Sequence, residues 1–302
     1  MLAAAVASYV AVRRAAGFTF GSEARQLTSF AAFSEARAES YVRTSLAIEW
    51  AGLARSIPQR ARRLGHLIRL AHYLRAEDTH HEIPPPVFGA EKRARPTPYI
   101  LSQDQIRQLV LTASRAGYRT LRRDTYSTLF ALLASTGLRV SEAIHLRFDD
   151  VTPDGLVIRC SKFRKSRLVP LHDTAQAGLE RYLRRRRAYA PAETTHVFVS
   201  LRRKPLLLHD VEVAFRTAAR AMGLPDSPRA RPTPHSLRHT FAVRALQACP
   251  DGRDAITQHM VALSTYLGHA KVADTYWYLE AVPELMMDIA DRCERFVMGG
   301  QS

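Results

Sequence analysis

The side chains of this chain best suited to chemistry fall in four short segments: STGLRVSEAIHL (135–146), SKFRKSRLVPL (161–171), HSLRHTFA (235–242) and LGHAKVADTYWY (267–278). Together they supply guanidinium, ammonium, imidazole, carboxylate and phenol groups. The third is the most informative on spacing alone. Thr233 followed by Pro234 is an N-cap and first-turn signature, so a helix is expected to open there and run to about Ala248. His235 and Arg238 share a face of that helix, close to an end whose free N–H groups favour an anion. This is a seat for a phosphate. His235 and His239 have the i, i+4 spacing of a zinc pair, but the Glu of the HExxH pattern is absent and a cation, Arg238, stands where the metal would go. No metal site is expected, and His239 is read as a packed, hydrogen-bonded helix residue. In the fourth segment Tyr276 and Tyr278 flank Trp277, an aromatic cluster whose ordinary fate is core packing.

In order and composition the four segments resemble the phage-integrase family of tyrosine recombinases. The catalytic domain of that family contains an arginine in TGLR, a hairpin lysine, H-x-L-R-H, L-G-H, and a nucleophilic tyrosine nine residues later; the resemblance covers about residues 97–280. Carried over position by position, it implies an active site of Arg139, Lys162, His235, Arg238, His269 and Tyr278, with Glu142 as a supporting residue. Lys162 matches the hairpin position better than Lys165. The step from His269, together with the spacing of Thr275 from Tyr278, favours Tyr278 over Tyr276. The implied activity is site-specific recombination of double-stranded DNA through a 3′-phosphotyrosyl intermediate and a Holliday junction, for integration or excision of a mobile element. A homotetramer in the synaptic complex and no cofactor are implied with it.

Chemistry of that kind requires these residue types. A phosphodiester under in-line attack gathers negative charge on its nonbridging oxygens, which two guanidinium forks can stabilise without exchanging protons. A phenol has a pKa near 10 and needs a base and a positive field to attack well at neutral pH. His235 is the candidate base. Lys162 can deliver a proton to the departing 5′ oxygen, a role closed to arginine, which does not give up its proton. His269 would hydrogen-bond the scissile phosphate.

The elements that must position these groups are mostly helices. Up to about residue 76 there is one proline, Pro58, and the series Leu27, Phe30, Phe33 and Leu64, Leu67, Ile68, Ala71, Leu74 follow helical faces. Residues 1–88 are therefore expected to be all helical, and the family resemblance implies that they form its SAM-like core-binding domain, which contacts DNA. The stretch 83–98, IPPPVFGAEKRARPTP, is rich in proline and positive charge, and 89–98 is taken as the linker. Residues 99–302 would be the catalytic domain, mainly α with a small β-sheet or hairpin. Helices are expected over 102–114, with Ser102 as N-cap, over 124–136 with Gly137 as the stop, and over 283–298. The runs 156–160 and 167–171 read as strands of a hairpin with a basic tip. The arginines at 184–187 read as a solvated charged face.

Composition agrees with a polyanionic partner. The 302 residues carry 44 basic against 28 acidic side chains, and only five of the basic ones are lysine. Arginine's planar fork matches phosphate oxygens in pairs, which places nucleic acid above an anionic membrane surface. Both halves are basic, 14 against 8 up to residue 96 and 30 against 20 beyond it, so the two could close on a duplex as a clamp. Three scattered cysteines support neither a disulfide framework nor a metal cluster. The longest charge-free apolar runs, 1–12 and 125–138, fall short of the roughly 18 residues that span a bilayer. Arg13 and Arg14 follow the first run, the reverse of a secretory signal, so a cytoplasmic protein is expected. Two further readings fit the same sequence: a type IB topoisomerase-like nicking and closing enzyme, and a DNA-binding regulator without activity.

Overall fold

The computed structural model describes residues 2–89, 97–115, 121–159, 166–189, 194–227, 231–249, 253–269, 271–281 and 294. It divides into two compact units, Met1–Arg95 and Pro96–Ser302.

Unit 1 contains α1 (Leu2–Ala15), α2 (Gly21–Glu35), α3 (Thr44–Gly52) and α4 (Ile57–Arg75), and no strand among its described residues. The periodic apolar faces are the ones that close its core: Leu27, Phe30, Leu64, Leu67, Ala71 and Leu74 are buried, with Phe33 and Ile68 packed at the edge. Phe30 meets Trp50 of α3 edge to face at 5.6 Å, an arrangement favoured by the ring quadrupoles. Pro58 lies in the first turn of α4, where its missing N–H has no helical partner to lose. Beyond α4 the chain is pinned back by the Val42 N–H, which donates to His81 Nδ1 at 3.0 Å.

Unit 2 contains α5 (Gln103–Arg115), α6 (Leu121–Thr136), α7 (Val140–Ile144), β1 (Val151–Thr152), β2 (Gly155–Ile158), β3 (Arg167–Val169), α8 (Asp173–Tyr189), α9 (Leu208–Ala221), α10 (Pro234–Gln247), α11 (Arg253–Leu267) and α12 (Ala273–Ala281). The mainly helical architecture with a small sheet is the one expected. Ser102 caps α5 as a capping box: its Oγ accepts from the Gln105 N–H at 3.1 Å, and Gln105 Oε1 accepts from the Ser102 N–H at 2.9 Å. Gly137 ends α6 with φ of 61°, a left-handed conformation that suits glycine. The sheet is antiparallel in the order β1-β2-β3, with Leu156 opposite Val169 and Ile158 opposite Arg167. β1 was not anticipated, and the two expected strands are shorter than their β-rich runs. A core of Leu129, Phe130, Leu133, Leu156, Val169, Phe198 and Phe215 joins the sheet to α6 and α9. Ala242, Val243, Leu246, Met260, Leu263 and Leu267 form a second cluster between α10 and α11, with Tyr278 of α12 packed into it.

In the arginine run at 184–187, Arg184, Arg185 and Arg187 are exposed as a solvated face requires, and Arg186 corrects that expectation. Arg186 is fully buried, its Nη2 donating to the carbonyls of Thr194 and His196 at 3.1 Å each, with its guanidinium 5.5 Å from the Phe148 ring. Successive helix positions rotate by about 100°, so four arginines in a row cannot all face water on a helix packed on one side. The hairpin tip at 160–165, with Lys162 and Lys165, lies outside the described residues, as do residues 90–96 of the linker and the helix expected over 283–298 apart from residue 294.

Candidate active site

Two turns of unit 2 bring the chemical segments together. One is Gly137–Leu138–Arg139, between α6 and α7; the other is Leu267–Gly268–His269, after α11. Arg139 donates from Nη1 to Glu142 Oε1 and from Nη2 to the Gly268 carbonyl, each at 2.8 Å, and its backbone N–H donates to Glu142 Oε2 at 3.0 Å. Glu142, on the first turn of α7, is also held from β3. Arg167 donates from Nη1 to Oε1 at 3.0 Å and from Nη2 to Oε2 at 2.8 Å, a bidentate pair. Burial raises the pKa of Glu142, but hydrogen bonds and charge from Arg167 and Arg139 outweigh it and hold the carboxyl below the usual range. One carboxylate thus serves two guanidiniums.

Arg167 was not singled out in the sequence. Its Nε donates to the Tyr266 carbonyl at 2.7 Å, so one side chain ties β3 to α7 and to the end of α11. The signal that identifies it is strand alternation: Arg167 and buried Val169 lie on one face and exposed Leu168 on the other. The approach also explains the glycine of L-G-H. Gly268 has φ of 65°, and a Cβ there would lie 2.8 Å from Arg167 Nη1.

Arg238 of α10 is 2% exposed and donates to two backbone carbonyls: Nη1 to Gly137 O and Nη2 to Leu267 O, both at 2.7 Å. These carbonyls stand at the C-terminal ends of α6 and α11, the negative ends of the helix dipoles. Burial, then the neighbouring Arg139, push the Arg238 pKa down to about 10, which leaves it charged at neutral pH. The helix that carries it opens at Pro234 as the Thr-Pro signature requires, with the Thr233 N–H donating to Ser236 Oγ at 3.0 Å.

Three imidazoles and a phenol surround these charges. His269 shares a hydrogen bond between Nδ1 and the Oγ1 of fully buried Thr275 at 2.7 Å; burial, Arg238 and Arg139 lower its pKa to about 4. His235, in the first turn of α10, is open to solvent on one side, while desolvation on the other, Arg238 and Arg139 lower its pKa. Its ring meets that of His239 edge to face, with centroids 4.3 Å apart. His239 Nδ1 lies 3.0 Å from Tyr278 Oη. Burial, His235, Arg238 and His269 hold the His239 pKa at about 3, so the ring is neutral at pH 7 and can accept the phenol O–H. Tyr278 is 3% exposed and Tyr276 is 49% exposed, which separates the two tyrosines of the cluster.

Arg139, His235, Arg238, His269, Tyr278 and Glu142 are therefore neighbours, while Lys162 lies outside the described residues. The imidazole in contact with the phenol is His239, not the His235 chosen as base from the sequence. Its signal was present in the i, i+4 step from His235, but only the packing of α12 on α10 turns that step toward a tyrosine. With neutral imidazoles, the guanidiniums of Arg139, Arg167 and Arg238 outnumber the carboxylates of Glu142 and Asp274, so the pocket carries a positive field suited to an anion. Among the described residues no group of three or more His, Cys, Asp or Glu could hold a metal ion, and no helix is long and apolar enough to cross a membrane.

Residues 100–284 match the model of the phage integrase family. The chain is 38% identical over 302 residues to y4rB of Sinorhizobium fredii, an integrase/recombinase by name, with 96% of each chain covered. It is 30% identical over 242 residues to the tyrosine recombinase XerD of Caulobacter vibrioides, covering 76% of this chain and 72% of that one. The fold is similar to that of lambda integrase, both as a dimer bound to a COC′ core site (TM-score 0.63, 16% identity, 91% and 94% coverage) and as a tetramer bound to a Holliday junction (TM-score 0.59, 18% identity, 89% and 77% coverage).

Proposed function

The chain belongs to the phage integrase family and is a tyrosine recombinase, and from that premise we propose that it recombines specific DNA sites by way of a 3′-phosphotyrosyl intermediate formed at Tyr278. The observation that carries this reading is the gathering of Arg139, Arg238, His235, His269 and Tyr278 around one positive pocket, with the phenol oxygen turned inward.

In this scheme the scissile phosphate sits between Arg139 and Arg238, whose forks stabilise the charge that develops on the nonbridging oxygens. His269, fixed through Thr275, hydrogen-bonds the same phosphate. The phenol of Tyr278 gives its proton to a neighbouring imidazole as its oxygen attacks phosphorus, the bond to the 5′ oxygen breaks, and Lys162 supplies the proton that oxygen needs. Phosphodiester bonds are conserved in number, so attack by a second 5′ hydroxyl reverses the step with little net energy change. Four protomers acting in this way exchange strands through a Holliday junction, and the tetrameric lambda integrase complex supports that assembly. We assign the protein to the cytoplasm and to the integration or excision of a mobile element, a role supported by its likeness to integrases.

The test is a nicked suicide substrate carrying the element's own end, incubated with wild type, Tyr278→Phe and Tyr276→Phe, then denatured. Wild type and Tyr276→Phe should carry covalently joined DNA, and Tyr278→Phe none. Adduct retained in Tyr278→Phe would overturn the assignment, and salt-sensitive binding without adduct in wild type would make the chain a DNA-binding regulator. Relaxation of supercoiled DNA without joining of two sites would make it a nicking and closing enzyme.

A further inference from the structure

Resting on the recombinase reading above, we propose that His239 is a catalytic residue that takes the phenolic proton of Tyr278 as its oxygen attacks phosphorus. Geometry comes first in choosing a base, and His239 Nδ1 stands at 3.0 Å from the reacting atom. His269 has its Nδ1 engaged with Thr275 Oγ1 at 2.7 Å. His235 lies one helical turn nearer the N-terminus of α10, half open to solvent, where the helix end favours the phosphate. The two imidazoles of α10 thus divide the site, His235 toward the anion and His239 toward the nucleophile.

The protonation state agrees with this geometry. The groups that face His239 are His235 and Arg238 from its own helix, His269 from the turn after α11, and Trp277 and Tyr278 from α12. None is an anion in the resting site, so the ring stays neutral, and in the tautomer that carries its proton on Nε2 the Nδ1 lone pair faces the phenol. It is then a weak base. A bound phosphodiester brings negative charge among Arg139, Arg238 and His269 and raises the affinity of His239 for a proton. The O–H bond of Tyr278 breaks toward Nδ1, the O–P bond forms, and the 5′ oxygen leaves with a proton from Lys162; rejoining runs the same transfers backward. Proton removal is in this way coupled to the presence of DNA, and the phenol stays protonated without it.

The decisive variants are His239→Asn, whose amide oxygen can accept the phenol hydrogen bond but not the proton, and His239→Ala, which removes both. Single-turnover adduct formation is measured from pH 5.5 to 9 on a nicked substrate, with DNA affinity and thermal midpoint followed in parallel. His239→Asn should bind DNA as wild type does yet form adduct about 100- to 10,000-fold more slowly, the range of general-base contributions, with the acidic limb of the pH–rate profile flattened. Adduct formation by His239→Asn within a few-fold of wild type, with His239→Ala slow, would show that the contact only positions the phenol and would overturn the proposal. Should neither variant fold, the pairing is read in the wild-type fold: Tyr278→Phe must shift the 15N resonance of His239 Nδ1, and an unmoved resonance overturns the proposal. If wild type itself forms no adduct, the recombinase reading falls and this one with it, an outcome distinct from an active wild type beside an active His239→Asn.

Discussion

Unit 2 buries two arginines in almost the same way and makes different use of them. Arg186 of α8 and Arg238 of α10 each donate to two backbone carbonyls, and burial lowers the pKa of both. Around Arg186 stand Tyr182 and Phe148, which close the seat with aromatic surface. Around Arg238 stand Arg139, His235, His239, His269 and Tyr278, groups that move charge or protons. A buried guanidinium is therefore no mark of an active site by itself. What marks one is that the neighbouring charge is left unbalanced, as it is where Glu142 pairs with Arg139 and Arg167 while Arg238 beside them rests on carbonyls.

The contrast predicts opposite phenotypes. Arg238→Ala should slow adduct formation by about 100- to 1000-fold, the loss of one well-aimed donor to developing charge, at constant substrate affinity within the limits of phosphate contact. Single-turnover kinetics on the suicide substrate checks it. Arg186→Met should leave the rate per folded molecule unchanged and lower stability by about 1–3 kcal/mol, because the carbonyls of Thr194 and His196 lose their donor in a buried place. Denaturant melts check that. If Arg186→Met impaired cleavage as strongly as Arg238→Ala, the distinction drawn between the two seats would collapse.

Gly268 sharpens the comparison, because its turn presents carbonyls to both site arginines and none to Arg186: Leu267 O to Arg238 and Gly268 O to Arg139. Gly268→Ala forces a left-handed residue, costing about 1–2 kcal/mol, and drives a methyl group into Arg167. Stability should fall by that amount while adduct formation falls further than stability explains, since both guanidiniums lose alignment. Equal effects on the two readouts would reduce the turn to a structural element.

How much of this was legible in the sequence follows from how local each feature is. The opening of α10 and the stop at Gly137 are written in adjacent residues, and the helical faces of unit 1 in periodicity, so these were read correctly. The hairpin strands were legible from two β-rich runs, but β1, only Val151 and Thr152, is too short to carry a period. Strand alternation places Arg167 on the buried face of β3, but its role could not be read because it depends on Glu142 and Tyr266, 25 and 99 positions away. Arg186 was misread because a run of like charges says nothing of which member points inward. His239 was read as a packed, hydrogen-bonded residue, as it is, but its partner 39 positions on could not be known before α12 was placed.

The smallest expected effect separates the two seats by pH. His239 and His269 have folded pKa values of about 3 and about 4, against about 6.5 for an unperturbed histidine. Below that ordinary value the unfolded chain takes up protons that the folded chain refuses, so their contribution is whole above pH 6.5 and declines as pH falls toward 4. Glu142, whose pKa is lowered, loses its contribution in the same direction but only at more acidic pH, which leaves the upper window to the histidines. His196, beside Arg186, is lowered as well, chiefly by burial and then by Arg147, His145 and Arg186, so an acid loss alone does not distinguish the seats. An anion does. Phosphate bound among Arg139, Arg238 and His269 would favour the imidazolium forms there and leave His196 as it was. Thermal midpoints between pH 7 and 5 should therefore fall less steeply in wild type with phosphate or a short duplex than without, and this protection should vanish in Arg238→Ala while surviving in His196→Asn. Protection that persisted in Arg238→Ala would mean that the anion acts elsewhere and that the imidazoles of the pocket are not coupled to its guanidiniums.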